Sequence, residues 1–261
     1  MEHLIQHFRK DEQPFIERVI EWHRDVLYRH NIRLTDFLDP REQFIISSII
    51  GQSDELNLYS EGIFDEAERK RMIICPSYIE PNQDDFQIAI FSVNYPSKFL
   101  QLKHRDVLGS LLSLGMSRSK FGDITIEDDN IQFAISKEIA EYVETNLVSI
   151  GKAKVQLELM ADFENLIQSN EKWVEKTLTV SSMRLDSILS LALRISREKS
   201  KLLIQAGKVK VNWTVRESVS FDIQDGDILS VSGFGRIKIL KIEGRTKKEK
   251  IRLIIGYLEQ K

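Results

Sequence analysis

The chain is poor in cysteine and has no long apolar run and no glycine-rich loop. Each shortage closes off a class of protein. A single cysteine, Cys75, occurs in 261 residues. No disulfide framework can form within one chain, and a reducing, cytoplasmic home is expected. Cys75 sits in an RMIIC run and reads as a small packed hydrophobe. The opening MEHLIQHFRKDEQ has no apolar segment of the kind that leads a signal peptide. No uninterrupted apolar stretch approaches the ~18 residues of a membrane span, so no membrane partner is expected. Five scattered histidines and one cysteine give no metal-ligand spacing. No glycine-rich strand-to-helix turn is present to hold a nucleotide or a methyl-donor cofactor. No cofactor is expected.

What is present is an ordinary globular composition, 42% hydrophobic and 30% charged, with length enough for two or three small domains. The net charge of −3 conceals a division. Residues 1–180 carry a balance of −11, and residues 181–261 a balance of +8. One end attracts polyanions and the rest repels them.

The hydrophobic period divides the chain further. Residues 1–70 read as a helical domain. Pro14 opens one helix and Pro40, in FLDPRE, opens another that Gly51 stops, with a short strand over Leu56–Tyr59. Residues 71–160 alternate. Arg71–Cys75 and Phe86–Val93 are strands, and Lys103–Gly115 is a helix. Asp123–Glu127 and Asn130–Ile135 flank an Asp128-Asp129 turn. Ser136 caps a helix, and Lys154–Leu159 is a last strand. From Phe86 the order is βαββαβ, the ferredoxin-like pattern. Residues 161–179 read as a polar connector, and residues 180–261 as a third domain able to fold alone from residue 181. The fold class is therefore α+β.

The third domain carries the most pointed signal, RLDSILSLALRISREKSKLLIQAGKVKV over 184–211. Ser196 is placed to cap a second helix and Gly207 to close it. Leu202, Leu203 and Ala206 are expected to pack on Leu185, Ile188, Leu189 and Ala192 of the first helix. Arg197 and Lys201 stand four apart and share a face. Gln205, Lys208 and Lys210 continue that track, and Arg184 joins it from the first helix. Gly233-Phe234-Gly235-Arg236 forms a tight loop that offers Arg236. Such a cluster neutralises phosphates and releases their counterions. Structured RNA is the expected ligand. Lys103, His104 and Arg105, with Arg118 and Lys120, are candidates for a second RNA contact.

Catalytic readings fit less well. His104-Arg105-Asp106 looks like a kinase catalytic loop, but Leu111 occupies the position that must hold a metal-binding Asn. Met116-Ser117-Arg118-Ser119-Lys120 looks like a synthetase signature loop without its nucleotide-binding fold. Arg184-Leu185-Asp186 looks like the pseudouridine synthase motif, but Leu189-Ser190-Leu191 replaces its continuation, and Asp186 reads as an acid favoured at a helix start. Ile131–Ile135 lacks the glycine-aromatic pattern of an RNA-reading strand. An RNA-modifying enzyme of an unrecognised class and a cell-division adaptor stay open as alternatives.

Arg184-Leu185-Asp186, Ser196-Arg197, Leu203-Ile204, Gly207, Val209, Val211-Asn212 and Gly226-Asp227 resemble the S-four RNA-binding domain. That family usually places Asn-Gly at the turn after its first strand, where this chain has Asn212-Trp213. Trp213 either stacks on a base or packs over the hairpin. HFRKDEQPFIERV, FLDPREQ, HRDVLGSLLSLGMSRSKFGDI and SGFGRIKIL together resemble the YlmH family. The resemblance implies a helical N-terminal domain, an RRM-like middle domain and a C-terminal S-four domain. It implies a non-catalytic protein, a monomer in the cytoplasm. It also implies binding to ribosomal RNA and tRNA on large ribosomal subunits still obstructed by peptidyl-tRNA, in ribosome-associated quality control, with genes beside those of cell division. On that reading Arg184, Ser196, Arg197, Lys201, Gln205, Lys208, Lys210, Asn212, Trp213 and Arg236 form the RNA site.

Overall fold

A computed structural model describes residues 8–51, 53–64, 67–161, 163, 165–167, 173–246 and 249–259. The chain forms two compact units, residues 1–169 and 170–261.

The first unit begins with α1 (Gln13–Arg29), with Pro14 in its first turn. Phe15, Ile16, Val19, His23 and Val26 fall on one buried stripe. The helix stops at His30, which turns left-handed and donates its N–H to the Val26 carbonyl at 3.0 Å. Strand β1 (Arg33–Leu34) follows, then α2 (Pro40–Ile50). A reciprocal cap starts α2: Asp39 accepts from the Glu42 N–H, and Glu42 accepts from the Asp39 N–H, both at 2.9 Å. Strands β2 (Leu56–Glu61) and β3 (Arg71–Pro76) complete an antiparallel sheet of order β1-β3-β2. Central β3 is buried on both faces. Met72 and Ile74 join the core under α1 and α2, while Ile73 and Cys75 meet Phe86 on the other side. The expected boundary after residue 70 would cut this sheet. Strand β3 belongs with the N-terminal elements because both of its hydrogen-bonding edges are used there.

The remainder of the unit follows the expected order. It runs β4 (Ile88–Asn94), α3 (His104–Ser113), β5 (Phe121–Glu127), β6 (Asn130–Ser136) and α4 (Ala140–Asn146). A small hairpin, β7 (Ser149–Ile150) and β8 (Ala153–Lys154), precedes β9 (Gln156–Leu159). The four main strands are antiparallel in the order β5-β6-β4-β9, the RRM-like arrangement. One face packs Phe91, Val93, Ile131, Phe133 and Ile135 against Val107 and Leu111 of α3 and Val143 of α4. The other face is covered too. Ile90 and Ala134 lie in one cluster with Phe37, Phe64 and Ala67, flanked by Met160, Phe163 and Leu166. Gly122 shows how close this approach is: a Cβ there would lie 2.7 Å from the Phe37 ring and 3.0 Å from the Ala134 methyl. Gly122→Ala is therefore expected to destabilise the first unit by about 1–3 kcal/mol through overpacking, read as a lower denaturant midpoint with unchanged slope.

The second unit is built on a six-stranded antiparallel sheet. Its elements are β10 (Val174–Val180), α5 (Leu185–Ala192), α6 (Arg197–Gln205), β11 (Val209–Val211), β12 (Thr214–Val215), β13 (Ile228–Val231), β14 (Gly235–Arg245) and β15 (Ile251–Glu259), and the strand order is β10-β15-β14-β13-β11-β12. Both helices pack on one face. Leu185, Ile188, Leu189, Ala192 and Ile204 meet Val209, Val211, Leu229, Val231, Ile237, Ile239, Leu253 and Ile255.

Two expectations are corrected here. The α6 residues turned inward are Ser200 and Ile204, with Leu203 half-buried, whereas Leu202 is 63% exposed and Ala206 is exposed. Ser200 can be buried because its hydroxyl donates to the Asp186 carbonyl at 3.0 Å. The connector expected over 161–179 contains most of β10, which pairs with β15 along all seven residues from Val174 to Val180. A fragment starting at residue 170 is thus expected to melt cooperatively, whereas one starting at 181 leaves the β15 edge unpaired and melts lower. Equal melting temperatures would show β10 to be dispensable.

Candidate nucleic-acid interface

Ser196 is extended (φ −65°, ψ 152°) and its Oγ accepts from the Lys199 N–H at 3.1 Å, so α6 starts as its sequence prescribes. Arg197, Lys201 and Gln205 are all exposed on this helix at successive four-residue steps. Gly207, at φ +66°, ends it, and exposed Lys208 follows.

Arg184 is fixed from below. Its Nε donates to Asp186 Oδ1 at 3.0 Å and its Nη2 to Oδ2 at 3.4 Å. The Asp186 side chain is 1% exposed, and that of Arg184 is 44% exposed. Two of the five guanidinium donors engage the buried acid, and the side chain still reaches the surface. The Asp186 carbonyl also takes the Ser200 hydroxyl, which joins the middle of α6 to the first turn of α5 beside Arg184. From sequence alone Asp186 reads only as a dipole-favoured acid; the signal for its pairing is the Arg-x-Asp spacing, which lets one side chain fold back on the other.

The remaining candidates divide. Lys210 alternates with buried Val209 and Val211, and Arg236 precedes buried Ile237. Lys210, Ser230 and Arg236 lie in one row across β11, β13 and β14, on the face turned away from the helices. The Arg236 guanidinium lies over the Trp173 ring at 5.6 Å. Lys210 and Arg236 are therefore not brought together with Arg197 and Lys201.

Asn212 is a structural residue. Its Nδ2 donates to Asp227 Oδ1 at 2.8 Å and its Oδ1 accepts from the Ile228 N–H at 2.9 Å. Asn212 and Trp213 both have positive φ, 48° and 62°, in a two-residue hairpin turn that pairs Val211 with Thr214. For a bulky residue such as Trp this conformation costs about 1–2 kcal/mol. Trp213 is 41% exposed and is not one of the buried core residues, so a large part of its ring faces solvent at the hairpin turn.

In the first unit the second candidate cluster also separates. Lys103, His104 and Arg105 are exposed at the start of α3, where Asp106 caps the Lys103 N–H at 3.0 Å. Arg118 instead donates to the Phe121 and Gly122 carbonyls. Burial and neighbouring Arg69 push its pKa down to about 10, which leaves it cationic at neutral pH. Lys120 is bound by Asp36 at 2.7 Å and by Glu138. Lys120 fastens the start of β5 to Asp36 of the N-terminal elements, while Arg118 braces the first two residues of β5. The sheet surface on which RRM-like folds stack bases is occupied by the chain itself. Gln132 donates to the Asn165 carbonyl at 2.9 Å and accepts from the Ile167 N–H at 2.8 Å, over buried Ile90 and Ala134.

Among the described residues no His, Cys, Asp and Glu group is arranged to hold a metal ion. No helix among them is long and apolar enough to cross a membrane.

Three family models match the chain: the YlmH N-terminal region over residues 11–79, a putative RNA-binding domain in YlmH over 81–164, and the S4 domain over 183–229. The ribosome-associated protein quality control protein P2 of Bacillus subtilis (strain 168) is 44% identical over 256 residues, 97% of this chain and 98% of that one. The chain belongs to the YlmH family. A solved structure of the cell division protein ylmH from Streptococcus pneumoniae is 29% identical, with a TM-score of 0.53 over 62% of this chain and 98% of that one. An uncharacterized RNA pseudouridine synthase of Aquifex aeolicus (strain VF5) is 41% identical over 51 residues, 20% of this chain and 21% of the relative. In this YlmH-family chain Asp186, the residue that would answer to a synthase acid, is buried against Arg184.

The geometry separates structural from contact residues by their cost. Asn212→Ala removes one of the bonds to the Asp227 carboxylate and the side-chain acceptor of the Ile228 N–H, and is expected to cost about 1–3 kcal/mol. Arg197→Ala and Lys201→Ala are expected to stay within about 0.5 kcal/mol. Denaturant unfolding of residues 170–261 checks both, and an equal cost for all three would make the α6 cations structural.

Proposed function

We propose that this protein is a non-catalytic RNA binder that recognises ribosomal RNA and tRNA on obstructed large ribosomal subunits, as a monomer in the cytoplasm. One observation carries this reading. Arg197, Lys201 and Gln205 line one exposed helix face, beside an Arg184 that a buried acid holds in place. The helix spaces Arg197 and Lys201, and the bond to Asp186 limits the rotamers of Arg184, which reduces the entropy lost when Arg184 meets a phosphate oxygen. The quality-control role comes from the Bacillus subtilis relative, which is named for it. The name of the pneumococcal relative favours a second reading, an adaptor in cell division, in which RNA binding is incidental.

Reversing Arg197 and Lys201 to Glu removes two attractions and adds two repulsions at one anionic surface. The R197E/K201E protein is expected to stop co-sedimenting with large subunits while melting as the wild type does. Neutralising either residue is expected to reduce the slope of log affinity against log salt by about 1. Retained co-sedimentation would move the RNA away from α6, with Lys210 and Arg236, then Lys103 and Arg105, the next surfaces to reverse. If co-sedimentation is lost from both wild type and variant once RNA is digested, RNA is the ligand. If the wild type still sediments with RNA-free subunit protein, the adaptor reading is favoured.

A further inference from the structure

We propose that Trp213 stacks on an unpaired RNA base beside the phosphate track, so that the RNA recognised carries a bulged or looped-out nucleotide next to a helical segment. This deepens the RNA-binding reading above and rests on it.

The inference starts from a residue in the wrong place for its own stability. The β11–β12 turn requires two consecutive left-handed residues. Asn212 suits the first, and its side chain already holds the turn to β13 through Asp227 and Ile228. The second position favours glycine, yet it carries the bulkiest side chain available. Trp213 is not one of the buried core residues and leaves 41% of its surface exposed, so packing offsets that cost only in part. A strained residue whose large ring stays this exposed points to use at a binding surface.

The position also fits. The backbone on either side of Arg184 pairs with that on either side of Asp222, the Leu185 N–H donating to the Phe221 carbonyl and the Ile223 N–H to the Met183 carbonyl, both at 2.9 Å; the Gln224 N–H donates to Asp227 Oδ2 at 2.8 Å, and Asp227 Oδ1 accepts from Asn212. This short run of bonds puts the indole turn at the same end of the sheet as Arg184. Phosphate contacts alone fix position and carry no sequence information. A flat, exposed ring beside them reads something else, the face of a base. In a paired A-form stem both faces of each base are covered by neighbours, so only an unpaired base can accept an indole.

The test uses the full chain titrated with large ribosomal subunits, and then with protein-free ribosomal RNA extracted from them. Wild type is compared with W213G, W213F, W213L and R197E/K201E. W213G is expected to melt at or above the wild-type temperature, because glycine relieves the turn. Its affinity is expected to fall ~5- to 150-fold, the range for loss of one base–aromatic stack. W213F is expected to keep most of the affinity and W213L to lose it, in the same order on both targets. Wild-type affinity in W213G or W213L overturns the proposal. So does a W213G protein that melts well below wild type, which would make the indole a packing residue. Loss on subunits without loss on naked RNA also overturns it, by moving the contact to a ribosomal protein. If W213G binds normally while R197E/K201E fails, stacking is wrong and the phosphate track stands. If only W213G fails, the track is wrong and stacking stands.

Discussion

A carboxylate 1% exposed to solvent must be paired, because an isolated buried charge costs several kcal/mol. In the second unit Asp186 meets that requirement with Arg184, and the pairing organises everything around it. It turns Arg184, a long side chain with many rotamers, into a fixed cation at the surface. The same residue's carbonyl holds Ser200, so α6 is located against α5 by a polar bond as well as by Ile204. The exposed row of Arg197, Lys201 and Gln205 then inherits its direction from the inward row of Ser200 and Ile204. A basic face is useful to a rigid polyanion only if its charges hold their spacing, and here α6 sets the spacing of Arg197 and Lys201 while the buried acid holds Arg184.

The first unit spends its cations differently. Arg69 donates to the Phe121 carbonyl and Lys120 pairs with Asp36, and these bonds join the N-terminal elements to the RRM-like sheet, while Arg118 donates to carbonyls at the start of β5. The surface that might have stacked bases is filled by Phe37, Phe64 and the segment around Leu166. This explains how an RRM-like topology can lack the aromatic pattern of an RNA reader without penalty. The two central strands β4 and β6 present Ile90 and Ala134 there, side chains suited to dry packing and not to a wet, charged ligand. On the function proposed above, the acidic balance of residues 1–180 is no obstacle, because attraction to RNA falls to the basic end.

Local signals in the sequence were read well where the physics is local. Pro14, the Ser196 cap and Gly207 each act within a turn or two, and the βαββαβ order of the middle region follows from period and length. What stayed hidden depends on partners distant in sequence. Strand β3 is apolar on both sides because two different cores flank it, and nothing within RMIIC says which neighbours it pairs with. Strand β10 (Val174–Val180) is an edge strand whose alternation of Val174, Leu178 and Val180 is broken by Lys176 on the same face, so its hydrophobic signal is weak. On α6 a buried serine and an exposed leucine reversed the usual inference from polarity. The hydrogen bond that makes Ser200 acceptable runs to Asp186, fourteen residues away. The candidate site suffered the same limit: Lys210 and Arg236 looked continuous with Arg197 in the sequence, but strand alternation sends them through the sheet to its other face.

That division bears on how selectivity arises. Charge alone draws any phosphate chain, and the helix face of Arg197 and Lys201 would bind many RNAs with similar strength. Discrimination needs groups that respond to what a generic duplex does not offer. Two side chains of the second unit are held in conformations that serve no core: Arg184, pinned by a buried acid, and Trp213, kept left-handed at φ 62° where glycine would be easier. Both lie at the end of the sheet organised by Asp222–Asp227. On the proposed reading, the α6 cations supply attraction to phosphate and these two held side chains supply the discrimination.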